Sequence, residues 1–370
     1  MASGRILQVS QAALETKCKN LSYIITRVFF NVFSVLKSDI NLDLIVKNEN
    51  GLYVPEADVY LDPWRKVKKA FISHIHADHC RYGNLQYICP KHSLPILKKR
   101  MGPVSVQGLD YGEKIAVRGV EFSFHPAGHI PGSAQIRVAS KGRVWVYSGD
   151  YKTQSDGLSH PFEPVKCDTF ITECTFGLPV YRWPRQPEVY RSILEWWSEN
   201  EQNGRAVVLL AYSLGKAQRL IHGLREGPGP IFCHSAVQQM NTAVRKAGFD
   251  LPKTRPLTKE LGKEDLKGAL IIISPTAFTG HWAKVLKTYE TASASGWMLI
   301  RGAKRRRAVD RGFVVSDHAD WEGLIEAVKA TGAERIICTH GYQQIFSRWL
   351  SENGWRAEEL TTEYGESAGD

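Results

Sequence analysis

The sequence predicts an α/β protein, and three observations predict it. Short apolar segments with alternating side chains fill the chain from about residue 43 to 175. Past Gly177 strand-like runs alternate with stretches of helical period, and the closing segment repeats that alternation. Alternating strands and helices favour a parallel sheet with helices on its faces, whereas the earlier portion reads as β-rich.

The β-rich portion opens with GLYV, ADVYLD, KKAFISH and LQYICP and continues through KIAVRGVEFSFH, SAQIRVAS and RVWVYSGD. EFSFH and QIRVA alternate apolar and polar residues as half-buried strands do, and DTFITECTF reads as a buried strand with a polar end. PEVYRSILEWWSENEQ carries a helical period that places Val189, Ile193, Leu194 and Trp197 on one face. RAVVLLAYS, GKAQRLIHGLRE, GPIFCHS and AVQQMNTAVRKAG then alternate strand and helix, and LKGALIIISP adds a strand. GFVVSD, DWEGLIEAVKAT, ERIICTHG and YQQIFSRWLSENG close the chain in the same manner. Residues 1–42 contain the apolar run LSYIITRVFFNVFSVL, interrupted by Arg27 and Asn31. It is short for a bilayer span and lacks a following cleavage signal, so it reads as an N-terminal extension of unknown role, with no membrane partner.

At 370 residues the chain has room for two domains, or for one domain with a large insertion. Its hydrophobic fraction of 43% and charged fraction of 23% belong to a globular protein with a full core. A net charge of +10 favours polyanionic partners, nucleic acid above all. The seven cysteines are scattered without a CxxC pair, which argues against a disulfide framework and for a reducing, cytoplasmic setting.

FISHIHADHC, residues 71–80, concentrates His74, His76, Asp78 and His79. Imidazole and carboxylate suit a borderline cation such as zinc. Read as a strand, FISHIH points His74 and His76 to one side; a helix beginning at Ala77 would swing Asp78 and His79 across the same cleft. FHPAGHIPGSAQI adds His129 in a turn between strands, and VWVYSGDYKT adds Asp150 where a strand ends. His74, His76 and His129 could hold one ion, and Asp78 and His79 a second, with Asp150 bridging.

LDPW, HIHADH, GHIPGS and SGD resemble the four successive motifs of the metallo-β-lactamase superfamily, and TECTFG, SDHAD and CTHG resemble motifs A, B and C of its β-CASP nucleases. The resemblance covers about residues 43–350. GLYVPEADVYLDPW and RGAKRRRAVDRGFVVSDHADW look most like the bacterial ligase-associated DNA exonucleases of that branch. It implies an αββα sandwich interrupted by an α/β cap. Residues 43–175 would form the first part of the metallo-β-lactamase domain, 176–300 the β-CASP insertion, and 301–370 the second part.

The same resemblance implies roles. Asp62 would hydrogen-bond a ligand histidine without binding metal, Glu173 would orient His318, His318 would be the general acid, and His340 would complete the second metal site. Two divalent ions, zinc or alternatively manganese, would hold a hydroxide steered by Asp78 for phosphodiester hydrolysis. Ser213 and Lys216 follow a strand at a helix start, where phosphate binds readily. RGAKRRRAVDR, with Arg305, Arg306 and Arg307 at its centre, could grip phosphates near the cleft, and Lys98, Lys99 and Arg100 could extend that track. The implied function is a DNA exonuclease in repair, with DNA ligase and helicase as partners. An RNA-processing nuclease is the alternative, since RNA-acting members carry histidine in motif C as this chain does at His340. A small-molecule metallo-hydrolase fits the basic charge and motifs A to C poorly.

Overall fold

The computed structural model describes residues 43–278, 280–300 and 309–363. Strands β1 (Val46–Asn48), β2 (Gly51–Val54), β3 (Val59–Leu61), β4 (Lys69–Phe71), β5 (Gln86–Pro90) and β6 (Val106–Leu109) form a first sheet in sequence order. Its early pairs are antiparallel and its pairs from β3 onward parallel. A second sheet begins with β7 (Ile115–Val117), β8 (Val120–Pro126), β9 (Ala134–Ser140), β10 (Arg143–Tyr147) and β11 (Thr169–Cys174).

The chain then builds a third sheet from β12 (Ala206–Leu210), β13 (Ile231–Cys233), β14 (Arg255–Pro256), β15 (Leu270–Ile273), β16 (Tyr289–Ala294) and β17 (Arg311–Phe313). Every pairing in it is parallel, as the strand–helix alternation predicts, and β17 extends it past residue 300. Finally β18 (Arg335–Gly341) and β19 (Arg356–Glu359) return to the second sheet, whose order is β19-β18-β11-β10-β9-β8-β7.

Helices lie between these strands: α1 (Leu94–Met101), α2 (Gln186–Gln202), α3 (Lys216–Gly223), α4 (Ser235–Lys246), α5 (Gly280–Leu286), α6 (Trp321–Thr331) and α7 (Gln343–Glu352). The first two sheets face each other across an apolar layer, in which Phe71 stacks on Phe122 with ring centroids 4.3 Å apart. Val54, Leu61 and Ile88 meet Phe124, Ile136 and Val138 in the same layer. α6 and α7 cover the other face of the second sheet through Trp321, Leu324, Phe346 and Leu350. On the far side of the first sheet, Ile96 and Leu97 of α1 share a core with Ile193, Val207 and Leu220. The architecture is therefore the α/β sandwich with an added α/β unit that the motif order implies.

α2 departs from its expected face. Val189, Ile193, Trp196, Trp197 and Asn200 are buried, while Leu194 is half-buried. The covered row runs i, i+4, i+7, i+8, i+11, and Leu194 lies one step off it. Trp196 belongs in the interior because its indole nitrogen finds a partner there, Glu290 Oε2 at 2.6 Å. No helix among the described residues is long and apolar enough to cross a membrane. The N-terminal extension and the core of the basic run, including Arg305, Arg306 and Arg307, lie outside the described residues.

Candidate metal centre

β4 stops at Phe71, so His74 and His76 stand on the loop beyond the strand and not on the strand itself. No helix starts at Ala77 either. A single turn forms, with the Cys80 amide donating to the His76 carbonyl at 2.9 Å. Arg100 fastens it: Nη1 donates to the Cys80 carbonyl at 2.8 Å and lies 3.4 Å from those of Ile75 and His76. Glycine lets the neighbouring loops come close. A Cβ on Gly128, at φ +73°, would sit 2.1 Å from the Lys152 carbonyl oxygen. One on Gly149, at φ +55°, would strike the Ser73 side chain. These two positions bring His129 and Asp150 against the histidine loop.

The donor atoms converge. His76 Nδ1 faces His129 Nε2 at 3.1 Å. Asp150 Oδ2 lies 3.4 Å from His74 Nε2, 3.4 Å from His79 Nε2 and 3.7 Å from His129 Nε2. Asp78 Oδ2 stands 3.9 Å from His79 Nε2, its side chain 33% exposed. His74, His76, His129 and Asp150 each place one donor atom within 4.8 Å of the others. Asp62, His74 and His79 form a second such group. His340 is one ring further out, its centroid 5.6 Å from that of His79, with Nδ1 3.1 Å from Thr339 Oγ1.

The electrostatics suit cations. Burial drives His74 and His129 well below the ordinary imidazole value, with neighbouring histidines adding to the effect, so both rings are neutral and offer a lone pair. Burial alone would raise Asp150, but His79 and the other histidines hold it well below the usual carboxylate range. His79 is the exception: burial lowers it, yet Asp150 and Asp78 outweigh that and raise it well above normal. His74 Nε2 is buried without a hydrogen-bond partner. An orphaned, neutral nitrogen aimed at a carboxylate and other imidazoles is costly unless something else fills its lone pair. The His/Asp donor set fits a pair of divalent ions.

Two carboxylates stand behind this centre. Asp62 accepts from the Ser73 amide at 2.7 Å and from the Ser73 hydroxyl, and faces His79 Nδ1 at 2.8 Å. Glu173, at the end of β11, accepts from the Tyr151 amide at 2.8 Å and places both oxygens 2.9 Å from His318 Nδ1. Burial would lower His318, but the Glu173 charge reverses this and lifts it to about 9, so the ring is protonated at neutral pH.

No family model matches the chain. It is 30% identical over 318 residues to a probable DNA ligase of Opitutus terrae, a match of 84% of this chain and 30% of that protein. It is 28% identical over 355 residues to an RNase J-like protein of Methanocaldococcus jannaschii, a match of 76% of this chain and 83% of the relative. The chain belongs to the β-CASP metallo-β-lactamase nuclease family. A solved structure of a protein of unknown function from Enterococcus faecalis V583 shares the fold, with a TM-score of 0.55 at 14% identity over 80% of each chain.

In this β-CASP chain the segment after β12 reaches into the metal centre in ways the sequence did not suggest. The Leu214 carbonyl lies 3.2 Å from His76 Nε2. Arg219 of α3 is 1% exposed; its Nε donates to Asp317 Oδ1 at 2.8 Å and its Nη2 to the His129 carbonyl at 3.1 Å. Nη2 also pairs with Asp156 Oδ2 at 3.3 Å, while Nη1 reaches Gln186 Oε1 at 3.4 Å. Lys216, expected to face phosphate, is fully buried, its Nζ 5.5 Å from the Tyr212 ring and its charge acting on Asp317. Ser213 is half-buried, and its carbonyl accepts from Gln218 Nε2 at 3.0 Å. Only the fold sets these contacts; a basic residue on a helix carries no local mark of where it points.

Proposed function

We propose that the chain is a metal-dependent phosphodiesterase acting on nucleic acid, a DNA exonuclease of repair. One observation carries the reading. A buried cluster of neutral imidazoles around Asp150, with an orphaned nitrogen at His74, adjoins a protonated histidine held by Glu173. Such a pairing suits hydrolysis in which one side prepares water and the other protonates the leaving oxygen.

His74, His76, His129 and Asp150 would hold one divalent ion, and Asp78, His79, Asp150 and His340 the other; bound there, zinc or alternatively manganese lowers the pKa of water and offsets charge at phosphorus. Asp78, at the open edge, orients the attacking water by accepting its hydrogen bond. Asp62 fixes the His79 ring from behind. Glu173 occupies Nδ1 of His318, so the proton delivered is the one on Nε2. The water oxygen bonds to phosphorus, the ester bond breaks, and the departing oxygen takes that proton. Residues 176–300 act as the cap over this centre, with Lys216 inside it, where its charge acts on Asp317 and not on substrate phosphates.

DNA is favoured because the chain aligns over most of its length with under a third of a protein named as a DNA ligase, and a nuclease joined to a ligase would work on the ligase's substrate. DNA ligase and helicase follow as candidate partners, in the cytoplasm. The RNase J-like relative and the histidine at 340 favour the second reading, an RNA-processing nuclease. The test offers end-labelled single- and double-stranded DNA and RNA of one sequence, with zinc or manganese, to the wild type, His318→Ala and Asp78→Ala. Stepwise shortening of DNA, lost in both variants, is the expected result. Preference for RNA selects the second reading, and cleavage that survives in both variants sinks both.

A further inference from the structure

We infer that a pocket of about 480 Å³ beside the metal turn, lined by Arg65, Lys66, Ala77, Arg81, Tyr82 and Arg100, holds the phosphodiester backbone of a single strand and stacks one of its bases on Tyr82. The inference deepens the nuclease reading and takes only the identity of the strand from it.

The pocket's position is the first argument. Ala77 forms part of its wall and stands between His76 and Asp78, and Asp78 is where the centre opens to solvent. A strand lying in the pocket therefore touches the turn that carries the ligands. Charge is the second. No carboxylate lines the pocket, and among the described residues Lys66 forms no ion pair. Among the described residues Arg65 pairs with Glu363 alone, on the surface at 2.7 Å, and an exposed pair of that kind yields readily to a phosphate. An adjoining pocket of about 410 Å³ shares Lys66 and adds Lys68 and Lys69, and its one carboxylate, Asp58, pairs with Arg118 at 3.3 Å, so the lining stays net basic away from the turn.

The ring is the third. Tyr82 is 58% exposed, and Leu85 in the same loop is 71% exposed, in a protein that buries most of its large apolar side chains. Arg100 lies 5.8 Å from the Tyr82 ring centroid, and the Tyr82 hydroxyl donates to the Arg100 carbonyl, so the ring is held upright. Arg100 also bolts the 75–80 turn, which ties the platform to the ligands. Cations flanking an exposed, immobilised aromatic ring match the way single strands are bound without sequence preference.

The test measures binding of fluorescent phosphorothioate single strands, one DNA and one RNA of the same sequence, to the full metal-loaded chain at two salt concentrations. Tyr82→Ala should weaken binding about tenfold, while Tyr82→Phe, which keeps the ring and loses only its tether to Arg100, should retain most of the binding. Lys66→Glu should weaken binding and reduce the salt slope by about one phosphate contact. Loss on both strands, or on one alone, supports the pocket and identifies the strand it takes. Binding indifferent to all three substitutions in folded protein overturns it. So does a polyglutamate that competes equally with the wild type and Tyr82→Ala, because the surface would then be a generic polyanion or acidic-peptide site. Hydrolysis of bis(p-nitrophenyl) phosphate by the wild type tests the nuclease reading separately. Strand binding that obeys the substitutions without any hydrolysis would sink that reading and leave the pocket standing.

Discussion

The metal centre and the Arg219 network share His129, yet they treat buried polar atoms in opposite ways. Around Arg219 the charges are matched: Asp317 and Asp156 accept from the guanidinium, and Asp156 also takes the amides of Leu158 at 2.9 Å and Ser159 at 2.7 Å. Beyond His129, His74 Nε2 has no hydrogen-bond partner, and two neutral rings, those of His74 and His129, crowd one carboxylate oxygen. The first arrangement is complete without any guest and fixes geometry. The second sets unshared lone pairs around a carboxylate, the arrangement that suits a divalent cation.

The sharpest way to break this contrast is to remove a member of the incomplete side. His74→Ala should reduce phosphodiester hydrolysis by on the order of a thousandfold and lower bound metal, read by turnover and elemental analysis. It should lower the melting temperature of the metal-free protein only modestly, because Nε2 gives up no protein hydrogen bond and the loss is confined to the contact of Nδ1 with Ser73 Oγ at 3.0 Å. A large drop in metal-free stability would mean that the histidine is structural.

Removing a member of the matched side should do the reverse. Arg219→Met strands Asp156 and Asp317 in the interior and should cost about 3–5 kcal/mol in a denaturant melt. A shift below 1 kcal/mol would show that water reaches these carboxylates. Zinc at a hundredfold excess over its Kd should then stabilise the wild type by about 2.7 kcal/mol, and His74→Ala far less. Equal stabilisation of the two proteins would place the ion elsewhere. The smallest effect belongs to Asp62→Asn, which alters only the group behind His79: metal affinity should fall about 10- to 100-fold with the fold intact. Unchanged affinity would make Asp62 a loop fastener for Ser73 alone.

The halves of this contrast were unequally legible in the sequence. HIHADH, GHIPGS and SGD could be read because each ligand cluster is contiguous and falls where a strand pattern stops, so chemistry and position agree. The αβ alternation was legible for the same reason, since its periods are local. Arg219 was not: its partner Asp317 is 98 positions away, and a helical arginine usually faces solvent. Lys216 misled for the converse reason, a helix-start lysine that tertiary packing turns inward. Arg65, Lys66, Arg81 and Tyr82 belong to none of the motifs, and only the pairing of β4 with β5 sets their loops side by side. His74 and His76 were placed on the right side for the wrong reason, since the strand ends before them.

One feature of the second sheet bears on how the protein is made. β18 lies against β11, and the Thr339 hydroxyl donates to the Thr172 carbonyl across 167 positions of sequence. During synthesis HIHADH leaves the ribosome long before β18, His318 or His340 exists. The nascent chain thus displays imidazoles able to scavenge metal while Glu173 still lacks the ring it must hold. Pairing across so long a loop forms slowly, which extends that interval. Assembly of the His318–Glu173 pair accordingly waits until the segment that carries His318 has been made.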